Sequence, residues 1–366
     1  MNTSTPRVFI AATRQNDGKT TTSLGLLAAL QKIHARIGYI KPVGQRYVEI
    51  AKHKIDEDTV LMDRVYGLNC PLDAMSPLAI SPEFTRRYIE SANSAPLVAQ
   101  LQKAFDRVAW EKDFVLCEGS GHAGVGSVFD MSNARVAKVL GAKAVIVTQG
   151  GIGRPIDEVA INHALFEKEG VEVIGVILNK VLPEKLDHIA DFARRGLKRK
   201  GLELLGVLPH QALLTYPTVA SIQEELSAEE LNRTQHLSNL VREVVIGAMS
   251  VENARRYFKP GVLLITPGDR EDIILSASTV MLDDENTLAG IVLTGGLRPG
   301  TNVLKILRDV PYPVLLAQED SYQIASKVHD LTVKTRPGDT EKISVIRELV
   351  AKHVDLKKLL AALVTR

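Results

Sequence analysis

The sequence predicts an α/β protein with a doubly wound, mainly parallel sheet, followed by a smaller α/β domain. Short runs of apolar, β-branched residues recur along the chain, as in strands that are buried on both faces. Amphipathic helical patterns separate these runs, and alternating strands and helices favour parallel pairing. Because 366 residues exceed what one ordinary core accommodates, we expect two domains.

Residues 12–20, with the sequence ATRQNDGKT, carry the strongest functional signal. The apolar run at 8–11 predicts a strand before them, and Leu24 and Leu27 share one face of the helix predicted after them. A strand, a tight loop and a helix start are the context of a phosphate-binding loop, the P-loop. The first glycine of the usual pattern is replaced by Thr13. A chance Gly-Lys-Thr at a helix start is the alternative interpretation.

The residue types of this loop fit a Mg-nucleoside triphosphate. Backbone N–H groups at a helix start bind phosphate oxygens, a lysine neutralises the β and γ phosphates, and a threonine hydroxyl binds Mg²⁺. We therefore expect a nucleotide and Mg²⁺ as cofactors. The loop residues predicted to bind the nucleotide are Thr13, Arg14, Asp17, Gly18, Lys19, Thr20 and Thr21.

Composition argues against several other functions. The net charge of +2 and the lack of a basic stripe give no reason to expect nucleic acid as a partner. No apolar run approaches the roughly 18 residues of a membrane span, and the polar N-terminus lacks a hydrophobic signal core. The two cysteines, Cys70 and Cys117, lie far apart in the sequence and suit a reducing compartment. We expect a cytoplasmic protein without nucleic-acid or membrane partners.

Three further side chains are candidates for the same site. Lys41 follows the short strand predicted at 36–40, and Glu118 ends the apolar strand predicted at 114–117, where ligands of open α/β sheets bind. Glu118 would hold Mg²⁺ or position a water molecule, and a carboxylate of the run Asp56-Glu57-Asp58 would reach the metal. The alternatives are a solvated lysine, an acidic helix cap and an exposed glutamate in a Gly-rich turn.

The rest of the first domain continues the alternation. Its other strands and helices are predicted at 144–148, 155–168, 173–178, 184–200 and 204–208. Asn179 and Pro209 lie just past two of these strands. A side-chain amide there can pair with an adenine edge or cap the following turn. Residues 72–95, rich in Pro and Ser, predict an irregular excursion before a helix at 97–110.

A new pattern begins after a predicted linker at 215–218. Its predicted strands are 244–247, 262–266, 290–294 and 314–317, and its predicted helices are near 219–226, 269–281, 301–309 and 321–328. Asp269 would cap a helix in the loop that also contains Arg270. The loop Thr294-Gly295-Gly296 would form an anion-binding nest. Ordinary turn chemistry is the alternative for both loops.

The order of these segments resembles dethiobiotin synthetase over about residues 7–210. The segments are the Gly-Lys-Thr loop, 39–43 (YIKPV), Asp58, 118–121 (EGSG), 161–165 (INHAL), 178–180 (LNK) and 206–209 (GVLP). The resemblance implies that ATP is the nucleotide and that Lys19 and Thr20 hold its phosphates and Mg²⁺. It implies further that Asp58 and Glu118 complete the metal site. Lys41 would then contact the γ-phosphate or a carbamate, and Asn179 would meet adenine.

The sequence departs from that family in the half that binds the substrate. Arg14 and Gln15 stand where those synthetases have an acidic residue and a hydroxyl, and Gly44-Gln45 replaces their small and hydroxyl residues. The residues that bind the nucleotide in that family are retained, whereas those that bind its diamine substrate are not. Arg14 also occupies the position at which the MinD and ParA ATPases, similar in loop type, place a lysine that acts across a dimer. A solvated loop arginine is the alternative.

The second pattern resembles the DRTGG domain, through residues 247–250 (GAMS), Asp269-Arg270 and Thr294-Gly295-Gly296. The two domains in this order are similar to the N-terminal regulatory half of long bacterial phosphotransacetylases, and we expect the acetyl-transferring catalytic domain to be absent. The predicted domains are a P-loop domain at 1–215, a DRTGG domain at 216–335 and a helical segment for docking or oligomerisation at 336–366.

These features predict a regulatory protein that binds Mg-ATP, with slow ATPase activity. Its DRTGG domain would sense a small anionic metabolite or mediate assembly. A homodimer and an enzyme of acetyl or acyl phosphate metabolism are the expected partners. The alternative is an ATP-dependent ligase or carboxylase similar to dethiobiotin synthetase, in which Lys41 serves the substrate. Amide ligation is disfavoured because neither cysteine has the setting of a nucleophile.

Overall fold

The computed structural model describes residues 1–279 and 287–364, which divide into two compact units. Unit 1 comprises Met1–Gln211 and Thr335–Arg366, and unit 2 comprises Ala212–Lys334. The chain therefore leaves unit 1, forms unit 2 and returns. The sequence had suggested a separate C-terminal segment at 336–366, whereas this division joins it to unit 1.

Parallel pairing dominates unit 1. Its strands are β1 (Arg7–Ala12), β2 (Ile37–Ile40), β3 (Val43–Gly44), β4 (Tyr47–Ile50), β5 (His53–Asp56), β6 (Leu78–Ala79), β7 (Phe114–Glu118), β8 (Lys143–Gln149), β9 (Val173–Val181) and β10 (Leu204–Pro209). Six of them form the main sheet in the order β10-β9-β8-β1-β7-β2, and every pair in it is parallel. The apolar runs make these strands because both faces of the sheet are covered.

Helices cover this sheet. In the first part of the chain they are α1 (Lys19–Gln31), α2 (Glu57–Tyr66), α3 (Leu72–Met75), α4 (Pro82–Glu90), α5 (Ala95–Ala109), α6 (Asn133–Val139), α7 (Arg154–Glu169) and α8 (Leu186–Lys198). β1 lies centrally, and the chain builds first on its β7 side and then on its β8 side. Such a reversal of strand order opens a crevice at the carboxyl ends of the strands, where ligands bind.

Residues 72–95 are more regular than the sequence predicted. They contain α3, β6 and α4 rather than an irregular excursion. The Ser81 side chain accepts a hydrogen bond from the backbone N–H of Phe84, and Pro82 occupies the first turn of α4, so Ser-Pro here is a helix start. The antiparallel hairpin of β4 and β5 was not predicted either.

Unit 2 is a smaller α/β layer structure. It contains β11 (Glu229–Glu230), β12 (Glu243–Ile246), β13 (Val262–Pro267), β14 (Gly290–Thr294) and β15 (Val314–Leu316), with α9 (Val219–Leu226), α10 (Val251–Ala254), α11 (Glu271–Thr279), α12 (Thr301–Leu307) and α13 (Ser321–Asp330). The sheet order is β11-β15-β14-β13-β12, parallel except for β11. Apolar clusters line its two faces. Residues 280–281 of the helix predicted at 269–281 lie outside the described residues.

The C-terminal segment packs on the helix that follows the P-loop. It forms α14 (Thr340–His353) and α15 (Leu356–Val364). A Cβ atom at Gly25 of α1 would overlap the side chain of Val350, so glycine allows α14 to approach α1 closely. Val354 forms an antiparallel bridge with Gly206 of β10, which ties the segment to the sheet edge. No helix among residues 1–279 and 287–364 is long and apolar enough to span a bilayer.

Candidate functional site

The P-loop connects β1 to α1 at the centre of the main sheet. The backbone N–H of Thr13 donates to the carbonyl of Val147 on β8 (2.9 Å), which anchors the loop's first residue. Gly18 then adopts a left-handed conformation with φ of 99°, and a Cβ atom there would overlap the Asn179 amide. Only glycine fits this position without strain. The loop therefore ends at Gly18, and α1 begins at Lys19.

The loop leaves its backbone donors free. Within residues 1–279 and 287–364, none of the N–H groups from Arg14 to Thr21 donates to a protein acceptor. Free N–H groups at a helix N-terminus carry partial positive charge and bind anions. Burial, together with the positive charge of Lys41, lowers the pKa of Lys19 to about 8. The loop and the Lys19 side chain thus form a site that an anion would stabilise.

Asn179 and Lys180 at the end of β9 clamp the loop. The Asn179 amide donates to the carbonyl of Asp17 (2.9 Å), and its oxygen accepts from the backbone N–H of Lys180 (2.9 Å). The Lys180 ammonium donates to the carbonyl of Asn16 (2.7 Å). Asn179 therefore acts on the loop in this structure, and its predicted contact with adenine stays a prediction. Lys180 was not singled out from the sequence because only the fold brings it to the loop.

A buried cluster of charges lies beside the start of α1. The Lys41 ammonium donates to Asp58 Oδ2 (2.6 Å) and to Glu118 Oε1 (2.8 Å). The hydroxyl of Thr20 donates to the same Glu118 oxygen (3.1 Å). Tyr39 completes the cluster, since its hydroxyl donates to Glu118 Oε2 (3.2 Å). The structure thus brings together the four residues predicted for metal binding and catalysis, and adds Tyr39.

The charges in this cluster compensate one another. Burial alone disfavours a charged lysine, but the carboxylates of Asp58 and Glu118 raise the pKa of Lys41 above its ordinary value. Burial raises the pKa of the neighbouring Asp56 to about 6, against the opposing effect of Lys41. The Asp56 carboxylate also caps α2 by accepting from the backbone N–H of Asp58 (3.0 Å). This cap fixes the helix turn that carries Asp58.

Two buried asparagines hold the segment that follows Glu118. The side chain of Asn133 accepts from the backbone N–H of Ser120 (3.0 Å) and donates to the carbonyls of Ser120 and His122. The side chain of Asn162 accepts from the backbone N–H of Ala123 (2.7 Å). The Gly-rich turn is therefore anchored by side chains from α6 and α7. Neither role was predicted, because the sequence does not show that these asparagines face the turn.

Arg14 is held within its own chain. Its guanidinium pairs with Glu158 of α7, which also accepts from Arg154 (2.8 Å). The sequence had suggested that Arg14 reaches the nucleotide of a neighbouring subunit, or is merely solvated. The structure places it in an intramolecular ion pair, and its contact with a neighbouring subunit stays a prediction. Of the other predicted residues, Thr21 lies in the first turn of α1, and Pro209 ends β10 opposite Val181 of β9.

The two DRTGG loops of unit 2 are engaged in local contacts. The N–H groups of Gly295 and Gly296 donate to the carbonyls of Glu319 (2.7 Å) and Ala317 (2.9 Å), so they do not form the anion-binding nest that was predicted. The hydroxyl of Thr294 lies 2.8 Å from that of Ser321.

The Asp-Arg pair also differs from its prediction. Arg270 pairs with Asp272 and donates to the carbonyl of Met249 (3.1 Å). Asp269 lies two residues before α11, which begins at Glu271, so it is not the N-cap residue. Both loops act here as turns.

Two family models match successive parts of the chain. Residues 6–218 match the family model described as AAA domain, and residues 221–331 match the DRTGG domain. A phosphate acetyltransferase of Nitratidesulfovibrio vulgaris is 28% identical over 370 residues, covering 98% of this chain and 52% of the relative. One of Pseudomonas aeruginosa is 31% identical over 367 residues, covering 95% and 51%. The chain spans about half the length of the curated relatives it matches.

Solved structures show weaker likeness. The MinC:MinD cell division protein complex of Aquifex aeolicus is 16% identical, covering 57% of this chain and 83% of that chain with a TM-score of 0.37. At this TM-score the likeness adds nothing to the functional argument. The family match and the P-loop geometry both fit nucleotide binding. Since the matched residues make up more than half of its length, the chain belongs to the AAA domain family, and a DRTGG domain follows.

Proposed function

We propose that this protein is a cytoplasmic, Mg-ATP-binding regulatory protein that hydrolyses ATP slowly. The observation that carries the proposal is the phosphate loop. Its N–H groups from Arg14 to Thr21 lack protein acceptors among residues 1–279 and 287–364, and its Lys19 is destabilised in the charged state. Such a loop is stabilised by bound phosphate rather than by the protein itself.

The residues present also fit Mg²⁺. Among residues 1–279 and 287–364, no group of three or more His, Cys, Asp or Glu side chains is arranged to hold a metal. Mg²⁺ commonly uses one or two carboxylates together with substrate phosphates and water. The hydroxyl of Thr20 and the carboxylates of Asp58 and Glu118 supply that kind of donor set. When bound, the ion would neutralise charge on the phosphates.

The side chains have distinct roles in this proposal. Lys19 and the loop N–H groups bind the phosphates. Glu118, held on both oxygens by Lys41, Thr20 and Tyr39, keeps a fixed orientation and can position a water molecule for attack. Lys41 holds Glu118 and Asp58 in place with its positive charge. Slow turnover is expected because Arg14, a cation within the loop, is bound to Glu158.

The regulatory role rests on the domain order. Both relatives described above are phosphate acetyltransferases, and both are about twice as long as the matched region. We infer that this chain corresponds to their N-terminal regulatory part. We propose further that the DRTGG domain at 216–335 senses an anionic metabolite or mediates assembly. The protein would work as a homodimer on an enzyme of acetyl or acyl phosphate metabolism.

Calorimetric titration of Mg-ATP tests nucleotide binding. Substitution Lys19→Ala removes a charge-assisted phosphate contact, which typically contributes about 1.5–3 kcal/mol, roughly ten- to a hundredfold in affinity. Lys32→Ala, at the exposed C-terminal end of the same helix, is the matched control and should bind like wild type. Equal affinity of the Lys19 variant and the wild type would remove the phosphate-loop assignment.

The ligase alternative predicts a different outcome. Lys41 is buried between two carboxylates, so its amine is not free to serve a substrate. We therefore expect no dethiobiotin from diaminopelargonate, CO₂ and ATP. Formation of that product, lost on Lys41→Ala, would favour the ligase function over the regulatory one.

A further inference from the structure

Asp17 is a buried acid inside the phosphate loop. Its side chain is 1% exposed. Oδ2 accepts from the hydroxyl of Thr13 (2.7 Å), whose oxygen also lies 2.8 Å from the hydroxyl of Thr148. Oδ1 has no hydrogen-bond partner among residues 1–279 and 287–364. Half of this carboxylate is therefore left unsatisfied in the interior.

The other acids of the site are better compensated. Glu118 and Asp58 share the ammonium of Lys41, and Glu158 pairs with Arg14 and Arg154. Among residues 1–279 and 287–364, Asp17 makes no ion pair of this kind, although its charge counteracts the lowering of the pKa of Lys19. Burying a carboxylate oxygen without a partner costs free energy. The sequence placed Asp17 among the residues expected to bind the nucleotide, but the contacts described above use only its backbone carbonyl. A buried carboxylate that lacks an ion-pair partner, in a loop whose free N–H groups attract anions, calls for an explanation.

We propose that Asp17 is an affinity-setting residue, whose buried negative charge weakens the binding of nucleotide phosphates at this loop. The inference rests on the proposed nucleotide site and deepens it. The attractive part of the loop consists of its free N–H groups and Lys19, and Asp17 lies two residues from Lys19 in the same loop. A negative charge so close to phosphate opposes binding electrostatically.

Burial makes this effect persistent. Salt screens exposed charges strongly and buried charges much less, so Asp17 would act at physiological ionic strength as well. The clamp by Asn179 holds the Asp17 carbonyl, so the residue cannot easily move away when a ligand arrives. The consequence is a site that fills only at high nucleotide concentration. Such weak binding lets occupancy follow changes in an abundant nucleotide, which suits a sensor.

The test compares Asp17→Asn, Asp17→Ala and the wild type by calorimetry with Mg-ATP. Asparagine keeps an acceptor for the Thr13 hydroxyl and removes the charge, whereas alanine removes both. Asp113→Asn, which removes a partly exposed carboxylate paired with Arg36, is the control for net charge and should bind like wild type. Each titration is run at low salt and at 0.5 M salt, a concentration at which the Debye length falls to roughly 4 Å.

We expect Asp17→Asn to bind Mg-ATP about tenfold more tightly than the wild type at both salt concentrations. If Asp17 only holds the loop through Thr13, asparagine will bind like wild type and alanine will bind more weakly, and the proposal is then wrong while the nucleotide site stands. A gain that disappears at high salt would also overturn it, because the charge would then act from the surface. If neither wild type nor variants bind nucleotide, the proposed function fails and this inference with it.

Discussion

Two lysines of opposite character lie close together at the candidate site. Lys41 is stabilised in its charged form by Asp58 and Glu118, so it carries a positive charge at any physiological pH. Lys19 is buried near that charge, and its pKa falls to about 8. Of the two lysines, only Lys19 therefore changes its charge in an accessible pH range. A bound phosphate would favour its charged form and raise its pKa again.

This difference predicts a pH dependence of nucleotide binding. Below pH 8 Lys19 is mainly protonated, and its charged ammonium binds phosphate. Above pH 8 the free protein has mainly neutral Lys19, which must take up a proton when the nucleotide binds, so binding becomes weaker. We expect Mg-ATP affinity to fall roughly tenfold between pH 7.5 and 9.5, with proton uptake visible in buffers of different ionisation enthalpy. Lys19→Arg keeps its charge throughout and should remove this dependence. A flat affinity in the wild type, or the same slope in Lys19→Arg, would contradict the role given to Lys19.

Glu118 predicts a separation of binding from hydrolysis. Replacing it with glutamine keeps its size but removes the charge that orients water or metal, so hydrolysis should fall roughly a hundredfold. Affinity for Mg-ATP should stay within about twofold, because the loop and Lys19 bind the phosphates. Phosphate release assays and calorimetry measure the two quantities, with the exposed Glu111→Gln as the control. Unchanged hydrolysis would make Glu118 a structural residue only.

Single residues differ in how well the sequence reveals them. Gly18, Lys19 and Thr20 were predictable because they are adjacent in the sequence and form a recognisable phosphate-binding motif. Tyr39, Glu158 and Lys180 were not, since each acts through a contact between segments far apart in the chain. Asn179 was noticed for its position at a strand end, but its contact with the Asp17 carbonyl depends on how β9 lies beside the loop.

At the scale of elements, the sequence predicted the central strands well. Each apolar run of unit 1 that was assigned to a strand corresponds to one in the main sheet, because burial on both faces leaves a continuous apolar signal. Short elements were missed. The β4–β5 hairpin has mostly exposed residues, so the alternation that reveals half-buried strands is weak there. The packing of α14 on α1 could not be predicted from the sequence either, because an apolar helix face does not show which other element it packs against.

The contact of α14 with α1 makes a prediction about stability. Gly25→Ala adds a methyl group that overlaps Val350, and overpacking of this kind costs typically 1–3 kcal/mol. We expect a loss of this size in urea unfolding. Val350→Ala removes the Cγ2 atom that meets the new methyl group but leaves Cβ, which would lie 2.5 Å from it. The double variant should therefore be somewhat more stable than the sum of the two single losses predicts. Strictly additive effects would mean that α14 and α1 are not in contact at this point.

At the scale of the whole molecule, the order of the chain connects the two units. Unit 2 lies in the sequence between β10 and α14, so both of its ends continue into unit 1. α14 packs on α1, and the N-terminus of α1 carries Lys19 and Thr20. A change in unit 2 that displaces the start of α14 would therefore reach the helix that holds the phosphate loop. The sequence predicted the two α/β domains, but it did not predict that residues 335–366 belong to unit 1.

We therefore expect a ligand of unit 2 and Mg-ATP to influence each other's binding. If one ligand changes the affinity of the other by some factor, the reverse effect has the same factor, and typical couplings are about 1–3 kcal/mol. A thermal-shift screen of carboxylate and phospho-metabolites would find the ligand, and titrations with and without Mg-ATP would measure the coupling. Light scattering on the same samples would give the mass, for which we expect a dimer.

The Gly25→Ala, Val350→Ala double variant tests whether the coupling passes through the contact of α14 with α1. Its altered contact between α14 and α1 should reduce the coupling while both ligands still bind, since neither residue lies in the P-loop or in the DRTGG loops. Coupling of wild-type size in this variant would exclude α14 as the connection. A ligand whose affinity is the same with and without Mg-ATP would show that unit 2 does not report to the nucleotide site, because thermodynamic coupling acts in both directions or not at all.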